Sequence, residues 1–289
     1  VTLDDSTLSG AVDLRDLASL GGQFTLNINS IDADRYMAPP VTGTRSAGGS
    51  EDHLPIEDIR KLDLQGALNI GQLTISGLQM RDIVVQLAAK DGKVALNPVK
   101  ANLYEGSFNG DLRLDVTTPA PTASLSTTLT TINLEPLLKD FMDATYLTGK
   151  GNIQLSLTGS GLDVPAIKSN LNGSGSLKLE DGVLTGINVA DVLGRIETMI
   201  RNRRLVQLPQ AGGQTPFENF SATLAINNGV ISSNDLVIGA TQWDVTGRGT
   251  LVDLRTDAID FNLVATMQPG TFTENGTDYT VGGHNLPIA

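Results

Sequence analysis

Apolar and polar residues alternate with a period of two along almost the whole chain, and this pattern constrains the fold more than any other feature. In the run Ile153–Leu157 every second residue is apolar, and similar runs begin near Leu62, Phe220 and Ile259. Such alternation gives a strand one apolar and one polar face, which is typical of an antiparallel sheet that packs on one side. The pattern therefore predicts an all-β protein.

Three dipeptides between apolar runs indicate tight hairpin turns: Asp91-Gly92, Asp181-Gly182 and Asn228-Gly229. Asp-Gly and Asn-Gly favour the positive-φ turns that join neighbouring antiparallel strands. The sequence contains neither a G-x-G-x-x-G fingerprint nor a P-loop, which disfavours a parallel nucleotide-binding sheet. We therefore predict an antiparallel meander.

A short sequence motif recurs before several apolar runs: an apolar residue, then any residue, then glycine. Its glycines include Gly10, Gly66, Gly110, Gly173 and Gly247. Glycine inside a strand marks a bend or a bulge, so repeated copies predict a curled antiparallel sheet that forms a groove or half-barrel. Ordinary turn glycines are the alternative interpretation.

A few short helices are predicted between the strands. Asn133 and Asp163 are residue types that cap helices, and each precedes a short helical pattern. Asn188 opens the longest predicted helix, about 189–203, whose apolar residues form one stripe.

The 289 residues are predicted to form one β-rich unit, 1–289. Two segments rich in Pro, Gly, Ser and Thr, about 38–51 and 208–216, are predicted surface loops. No run of apolar residues is long enough to cross a bilayer as a helix. The first residues resemble neither a signal peptide nor a natural start, so we expect the chain to be a piece of a longer protein.

The charge and residue content exclude several classes of function. The formal net charge is −12, which is unsuited to binding a nucleic-acid backbone. The chain contains no Cys, which excludes disulfides, thiol catalysis and thiolate metal sites. It contains only two His. No cofactor-binding motif is present.

Two acidic groups are the only candidates for catalytic or metal chemistry. Asp32 and Asp34 share a strand face and could act as an acid/base pair on a glycoside. Without an accompanying His or nucleophile motif, a solvated strand end is the simpler interpretation. Glu51, Asp52 and His53 could ligate a metal, but three neighbours beside a loop are more simply exposed side chains. We therefore predict no catalytic residue and no metal site.

The apolar strand faces have two interpretations that periodicity cannot separate. They form a closed core, as in a sandwich, or they line a groove for a ligand. Aromatic residues are only 4% of the chain, so the apolar surface is mainly aliphatic, which suits acyl chains.

Five stretches together resemble a known family. They are Ser30–Tyr36, Lys90–Val94, Ala101–Leu112, Gly149–Leu157 and Leu171–Asn188. In this order they resemble the C-terminal region of the bacterial AsmA family, and the likeness covers most of the chain.

The resemblance implies a non-enzymatic envelope protein of Gram-negative bacteria. Such proteins are anchored in the inner membrane by one N-terminal helix, which this sequence lacks, and place a β-rich groove with an apolar inner face in the periplasm. They are linked to phospholipid movement between the membranes and to outer-membrane biogenesis. The implied partners are phospholipid or another lipid, and inner and outer membrane proteins.

The groove interpretation, which the resemblance favours, predicts the residues that contact lipid. The predicted acyl-chain contacts are Leu62, Leu64, Leu68, Ile153, Leu155, Leu157, Leu177, Leu179, Leu224, Ile226, Phe261 and Leu263. Arg201, Arg203 and Arg204, at or beyond the end of the 189–203 helix, are predicted to meet lipid headgroups, with simple packing of that helix as the alternative.

Two other functions stay open at this stage. A chaperone-like or structural protein would hold outer-membrane strands at an exposed strand edge. A carbohydrate-active protein would use Asp32 and Asp34.

Overall fold

The computed structural model of the chain describes residues 2–3, 5–16, 21–36, 54–186, 212–241, 243–267, 270–274, 277–281 and 285–288. The predicted helix 189–203 and the loop 38–51 lie outside these residues. The predicted loop 208–216 is described from Gly212, and its last three residues already belong to a strand that begins at Gln214.

Strands dominate the described residues. They are β1 (Thr2–Leu3), β2 (Ser6–Asp16), β3 (Gly21–Asp32), β4 (Asp63–Ile75), β5 (Leu78–Lys90), β6 (Lys93–Leu103), β7 (Gly106–Asp115), β8 (Thr122–Asn133), β9 (Lys150–Ser160), β10 (Asn172–Thr185), β11 (Gln214–Asn227), β12 (Val230–Ala240), β13 (Trp243–Asp253), β14 (Ala258–Met267), β15 (Gly270–Glu274), β16 (Thr277–Val281) and β17 (Asn285–Ile288). The helices are α1 (Ile56–Lys61), α2 (Leu134–Met142), α3 (Val164–Ser169) and a 3-10 helix at Ala33–Arg35.

Fifteen of these strands form one sheet, in the order β1 to β14 followed by β17, while β15 and β16 form a separate hairpin. Among the described strands, the two edges β1 and β17 do not pair with each other, so the sheet is open. This confirms the predicted fold class, an all-β protein built on a curled, open sheet with a few short helices.

One neighbouring pair departs from the predicted antiparallel meander. β3 and β4 run parallel, with Leu26 opposite Leu68, while the other paired strands of the sheet are antiparallel. A parallel pair needs a connection that returns along the length of the strand, and the residues between Asp32 and Asp63 provide it. Period-2 alternation does not encode strand direction, so the sequence pattern did not reveal this pair.

Two of the three predicted hairpin turns are confirmed, and one is wrong. Asp91-Gly92 joins β5 to β6, and Asn228-Gly229 joins β11 to β12. Asp181-Gly182 instead lies inside β10, where Asp181 has a φ of 49° and the strand continues to pair with β11. A Cβ at Gly182 would lie 2.2 Å from the Phe217 ring, so this glycine makes room for a neighbouring side chain rather than reversing the chain.

The turn Ser76-Gly77 between β4 and β5, and the turn Tyr104-Glu105 between β6 and β7, were not predicted. Ser76, Tyr104 and Glu105 have positive φ although they are not glycine. Positive φ is rare outside Gly, Asn and Asp, so no sequence signal marks the Tyr104-Glu105 turn. The Ser-Gly dipeptide at 76–77 is a turn signal that the prediction did not use.

The short helices are confirmed at two positions and missed at a third. α2 follows Asn133, and α3 follows Asp163, whose carboxylate accepts a hydrogen bond from the Ala166 N–H at 2.8 Å. α1 was not predicted because Pro55 precedes it without any side-chain cap. Arg60 of α1 donates from Nε to the carbonyl oxygen of Val116 at 3.0 Å, which ties the helix to the end of β7.

Buried apolar residues form two separate clusters along the sheet. The N-terminal cluster contains Ile70, Ile83 and Ala101, with half-buried neighbours from β3 to β7. The C-terminal cluster is larger, and its buried members are Leu134, Leu179, Phe217, Ala222, Leu236, Ile238, Trp243, Val245 and Ala265. No residue of β8, which is described throughout, belongs to either cluster.

Candidate functional site

All the predicted acyl-chain contacts lie on strands or directly beside one. Leu62 connects α1 to β4, and the others belong to β4, β9, β10, β11 and β14. On β9 to β11 the strand register brings the predicted residues together, since Ile153 lies opposite Leu177, and Gly175 lies between Leu155 and Leu224. Leu64 and Leu68 are separated from this group by β5 to β8.

Strand register connects the two groups through a row that crosses nine strands. We call it the Leu155 row. Its members, from β3 to β11, are Leu26, Leu68, Val85, Val99, Gly110, Thr127, Leu155, Gly175 and Leu224. Directly paired residues share a sheet face, so these positions form one line across the apolar face.

A second row lies beside it on the same face. This Leu125 row consists of Phe24, Gly66, Leu87, Leu96, Leu112, Leu125, Leu157, Gly173 and Ile226. Eight strand intervals of about 4.8 Å make each row roughly 38 Å long if the sheet is measured along its surface.

The residues of both rows that lie on β5 to β8 were not predicted as lipid contacts. Val85, Val99, Leu112 and Leu125 fill the interval between the two predicted groups. A signal was present, because apolar residues also alternate around Val85 and Leu125.

Exposure distinguishes the middle of this face from a closed core. Leu155, Leu157 and Leu125 are half-buried, and Leu112 retains 39% of its accessible surface. The described strands form one large sheet and one small hairpin, so there is no second large sheet to cover these side chains. The face is therefore apolar and partly open to solvent.

Two of the predicted lipid contacts differ from the rest. Leu179 and Ile226 each retain only 2% exposure, and Leu179 belongs to the C-terminal cluster. They serve as core residues of the fold. For the other predicted lipid contacts, which are half-buried, binding of lipid stays a prediction.

The apolar face carries one buried polar side chain in the Leu155 row. Thr127 is 6% exposed, and its hydroxyl donates to the carbonyl oxygen of Asn109 at 3.1 Å. Across the described residues, every buried side-chain nitrogen or oxygen has a hydrogen-bond partner. The face thus offers contacts to a ligand through its aliphatic surface rather than through unsatisfied polar groups.

The Asp32 and Asp34 pair has a structural role. The Asp34 carboxylate accepts hydrogen bonds from the backbone N–H groups of Ser76 and Gly77, which fixes the β4–β5 turn to the end of β3. Asp32 accepts from the Asp34 N–H at 3.2 Å and pairs with Arg35 at 3.3 Å. Asp32 lines a cavity of about 310 Å³ whose lining does not include Asp34, so the two carboxylates do not share that cavity.

The other predicted polar candidates fall outside the described part of the chain. These are Glu51, Asp52 and His53, together with Arg201, Arg203 and Arg204. Within the described ranges, no group of three or more His, Asp or Glu side chains could hold a metal ion. The helices described there are all too short or too polar to span a membrane.

Two of the stretches that carry the family resemblance meet in space. Glu105, in the β6–β7 turn, forms an ion pair with Lys150 of β9 at 2.5 Å, which lowers the pKa of the Glu105 carboxyl. The neighbouring Tyr104 hydroxyl donates to Asp140 of α2 at 2.8 Å and accepts from the Gln79 N–H at 3.2 Å. These stretches therefore join β5, β7, α2 and β9 at one end of the sheet.

The environment of Tyr104 leads to a prediction about alkaline stability. Burial raises the pKa of Tyr104 from 10.0 to about 12, and the Asp140 carboxylate adds to the rise. The unfolded chain loses the phenolic proton near pH 10, whereas the folded protein retains it, so this contribution to stability is lost as the pH rises from 10 toward 12. We expect Tyr104→Phe to abolish this part of the pH dependence and to cost about 1 kcal/mol at neutral pH.

Phenolate absorbance and thermal melts at increasing pH measure both effects. Tyr36, which is 53% exposed, provides the matched control as Tyr36→Phe. Titration of every tyrosine at the ordinary value in the folded protein would contradict the prediction.

Comparison with known proteins identifies the family. The AsmA family model matches residues 9–236. Protein AsmA of Escherichia coli (strain K12) is 23% identical over 269 residues, which cover 87% of this chain and 43% of that protein. The chain thus spans less than half the length of this curated relative. No solved structure shows significant similarity. The family match extends over most of the sheet, from β2 into β12, and on this basis the chain belongs to the AsmA family.

Proposed function

We propose that the chain is a non-enzymatic module that shields lipid acyl chains on its apolar face and supports phospholipid transport and outer-membrane biogenesis. The observation that carries the proposal is the mainly aliphatic, partly exposed surface that the Leu155 and Leu125 rows form across nine strands. Membership of the AsmA family suggests a role in outer-membrane assembly or lipid transport, which agrees with it.

The physical chemistry of the face favours movement of an acyl chain over tight binding at one place. Each methylene group removed from water contributes about 0.8 kcal/mol, wherever along the rows it lies. Because the face presents no unsatisfied polar group among its buried described atoms, nothing anchors the chain at one position. The acyl chains would slide along the rows while the headgroup stays in water.

The proposal places the module in the periplasm, as part of a longer protein that is held in the inner membrane by an N-terminal helix. Phospholipid or another lipid is the proposed ligand, and inner and outer membrane proteins are the proposed partners. The activity of the whole protein is part of the proposal, because this chain covers only 43% of its curated relative.

Lipid extraction followed by mass spectrometry tests the proposed ligand directly. We expect phospholipid to be recovered from protein that was purified without detergent from a Gram-negative host. Protein taken through the same purification after unfolding and refolding without lipid should carry none and should regain it from added vesicles. A folded protein that neither carries nor takes up phospholipid would contradict the proposal.

An open strand edge supports a second candidate function. β1 pairs only with Ser6 and Thr7 of β2, so among the described strands the edge of β2 that faces away from β3 has no paired strand from Ser9 to Asp16. Val12 and Leu14 on this strand are 56% and 45% exposed. Such an edge can hold another strand by β-augmentation, as a chaperone for outer-membrane proteins would. Binding of unfolded outer-membrane peptides, without bound lipid, would favour this function.

A further inference from the structure

Several phenylalanine rings on the apolar face lie against glycines of the sheet. A Cβ built on Gly110 would lie 2.8 Å from two carbons of the Phe108 ring, and a Cβ on Gly66 would lie 2.5 Å from the Phe24 ring. The same relation joins Gly247 to Phe261 at 2.5 Å. In each pair the ring occupies the space where the side chain of any other residue would stand.

The orientation of these rings determines how far they project from the sheet. Side chains on a strand normally stand roughly perpendicular to the sheet. A ring that lies over a glycine instead stays close to the backbone, with one side covered and the other facing the open space. Phe24, Phe108 and Phe261 are accordingly half-buried rather than buried or fully exposed.

The Gly110–Phe108 pair lies where a ring that projects from the sheet would obstruct the two rows most. Phe108 packs at the border of the N-terminal cluster, and its register partner Leu129 lies on β8, which belongs to neither cluster. Gly110 is itself a member of the Leu155 row, between Val99 and Thr127. A ring that stood upright here would rise directly beside both rows at the midpoint of the sheet.

We propose that Gly110 is a positioning residue that keeps the Phe108 ring flat on the sheet and so leaves the lipid path open. The inference rests on the proposed function, because it assigns a role within the same apolar face. A Cβ at Gly247 would lie 2.5 Å from the Phe261 ring and also 2.8 Å from Leu263, so this glycine accommodates core packing as well as a ring.

The experiment replaces Gly110 by alanine. The new methyl group cannot coexist with the ring at 2.8 Å, so the ring must turn away from the sheet. The next nearest atom to this Cβ is the Thr127 hydroxyl oxygen at 3.5 Å, which is an ordinary contact. We expect Gly110→Ala to weaken phospholipid binding about tenfold, since this corresponds to the loss of contact with about two methylene groups.

Two further variants distinguish clearance from a general loss of structure. Gly110→Ala combined with Phe108→Ala removes the displaced ring and should restore most of the binding. Asn109→Ala changes the adjacent residue on the opposite face and should bind as the unchanged protein does.

Binding is measured with fluorescent phospholipid in vesicles, and folding by thermal melts. Unchanged binding by a folded Gly110→Ala protein, or failure of the double variant to recover, overturns the inference. Unfolding of Gly110→Ala overturns it too, because the ring would then serve packing rather than clearance. An unchanged protein that binds no phospholipid contradicts the proposed function instead, which keeps the two failures distinguishable.

Discussion

Replacing Leu155 by aspartate is expected to abolish phospholipid binding while the protein stays folded. Leu155 is half-buried within the Leu155 row, between Thr127 and Gly175. In the lipid-free protein a carboxylate at this position remains hydrated, so folding tolerates it. An acyl chain that covers the row would bury the charge without a partner, which costs several kcal/mol.

The adjacent residue supplies a matched control. Ser156 lies on the opposite face of β9 and is exposed, so Ser156→Asp adds the same charge one position away without touching the apolar face. This variant should bind phospholipid normally. Fluorescent-lipid binding and thermal melts of both variants decide the outcome. Unfolding of Leu155→Asp would show that the face is a closed core, and retained binding would exclude this row as the lipid path.

Replacing Leu179 by aspartate is expected to unfold the C-terminal part of the sheet. Leu179 retains 2% exposure inside the C-terminal cluster. The substitution removes a buried aliphatic side chain, at about 2–5 kcal/mol, and adds the penalty for an unpaired buried charge. The sum is comparable with the whole stability of a typical domain, about 5–15 kcal/mol.

Circular dichroism and thermal melts measure this loss. Lys178, the exposed neighbour on the other face, serves as the control because Lys178→Asp should fold normally. A folded Leu179→Asp protein with an unchanged melting temperature would contradict the assignment of this residue to the core.

The contrast between Leu155 and Leu179 shows what the sequence pattern reveals and what it does not. Both residues sit in clean period-2 alternation, and the pattern correctly assigns both to an apolar strand face. Their difference in exposure arises from residues distant in sequence, because Leu134 of α2 and Trp243 of β13 belong to the cluster that buries Leu179. Alternation reports the face of a residue and carries no information on what lies above it.

The candidate site was predictable to a similar degree. The groups on β4 and on β9 to β11 were predicted, but the connection between them depends on register across β5 to β8. Register is set by turns. The turn at Tyr104-Glu105 has no standard sequence signal, whereas the Ser-Gly dipeptide at 76–77 is a turn signal that the prediction did not use. The dipeptide Asp181-Gly182 has such a signal and makes no turn, because the Phe217 ring fills the space beside Gly182.

The contacts of the stretches that resemble the AsmA family show what these residues do in the structure. Asp34 fixes the β4–β5 turn, Tyr104 bonds to Asp140, and Glu105 pairs with Lys150. These residues connect elements at the end of the sheet and leave its apolar face free. The polar groups of these residues form hydrogen bonds and ion pairs that stabilise the fold. The Asp32 and Asp34 pair, predicted as a catalytic candidate, is therefore a structural contact.

The consecutive order of β4 to β14 has a consequence for how such a protein can change in length. Each strand from β4 to β13 pairs only with its neighbours in sequence, as in a repeat protein, so stability accrues locally along the sheet. Insertion of one hairpin would extend the sheet by roughly 10 Å, preserve the direction of every later strand and keep its apolar side on the same face. No central core would need to be repacked. The length of the sheet can therefore change in steps of two strands. Duplication of hairpins is enough to set the distance that such a molecule spans.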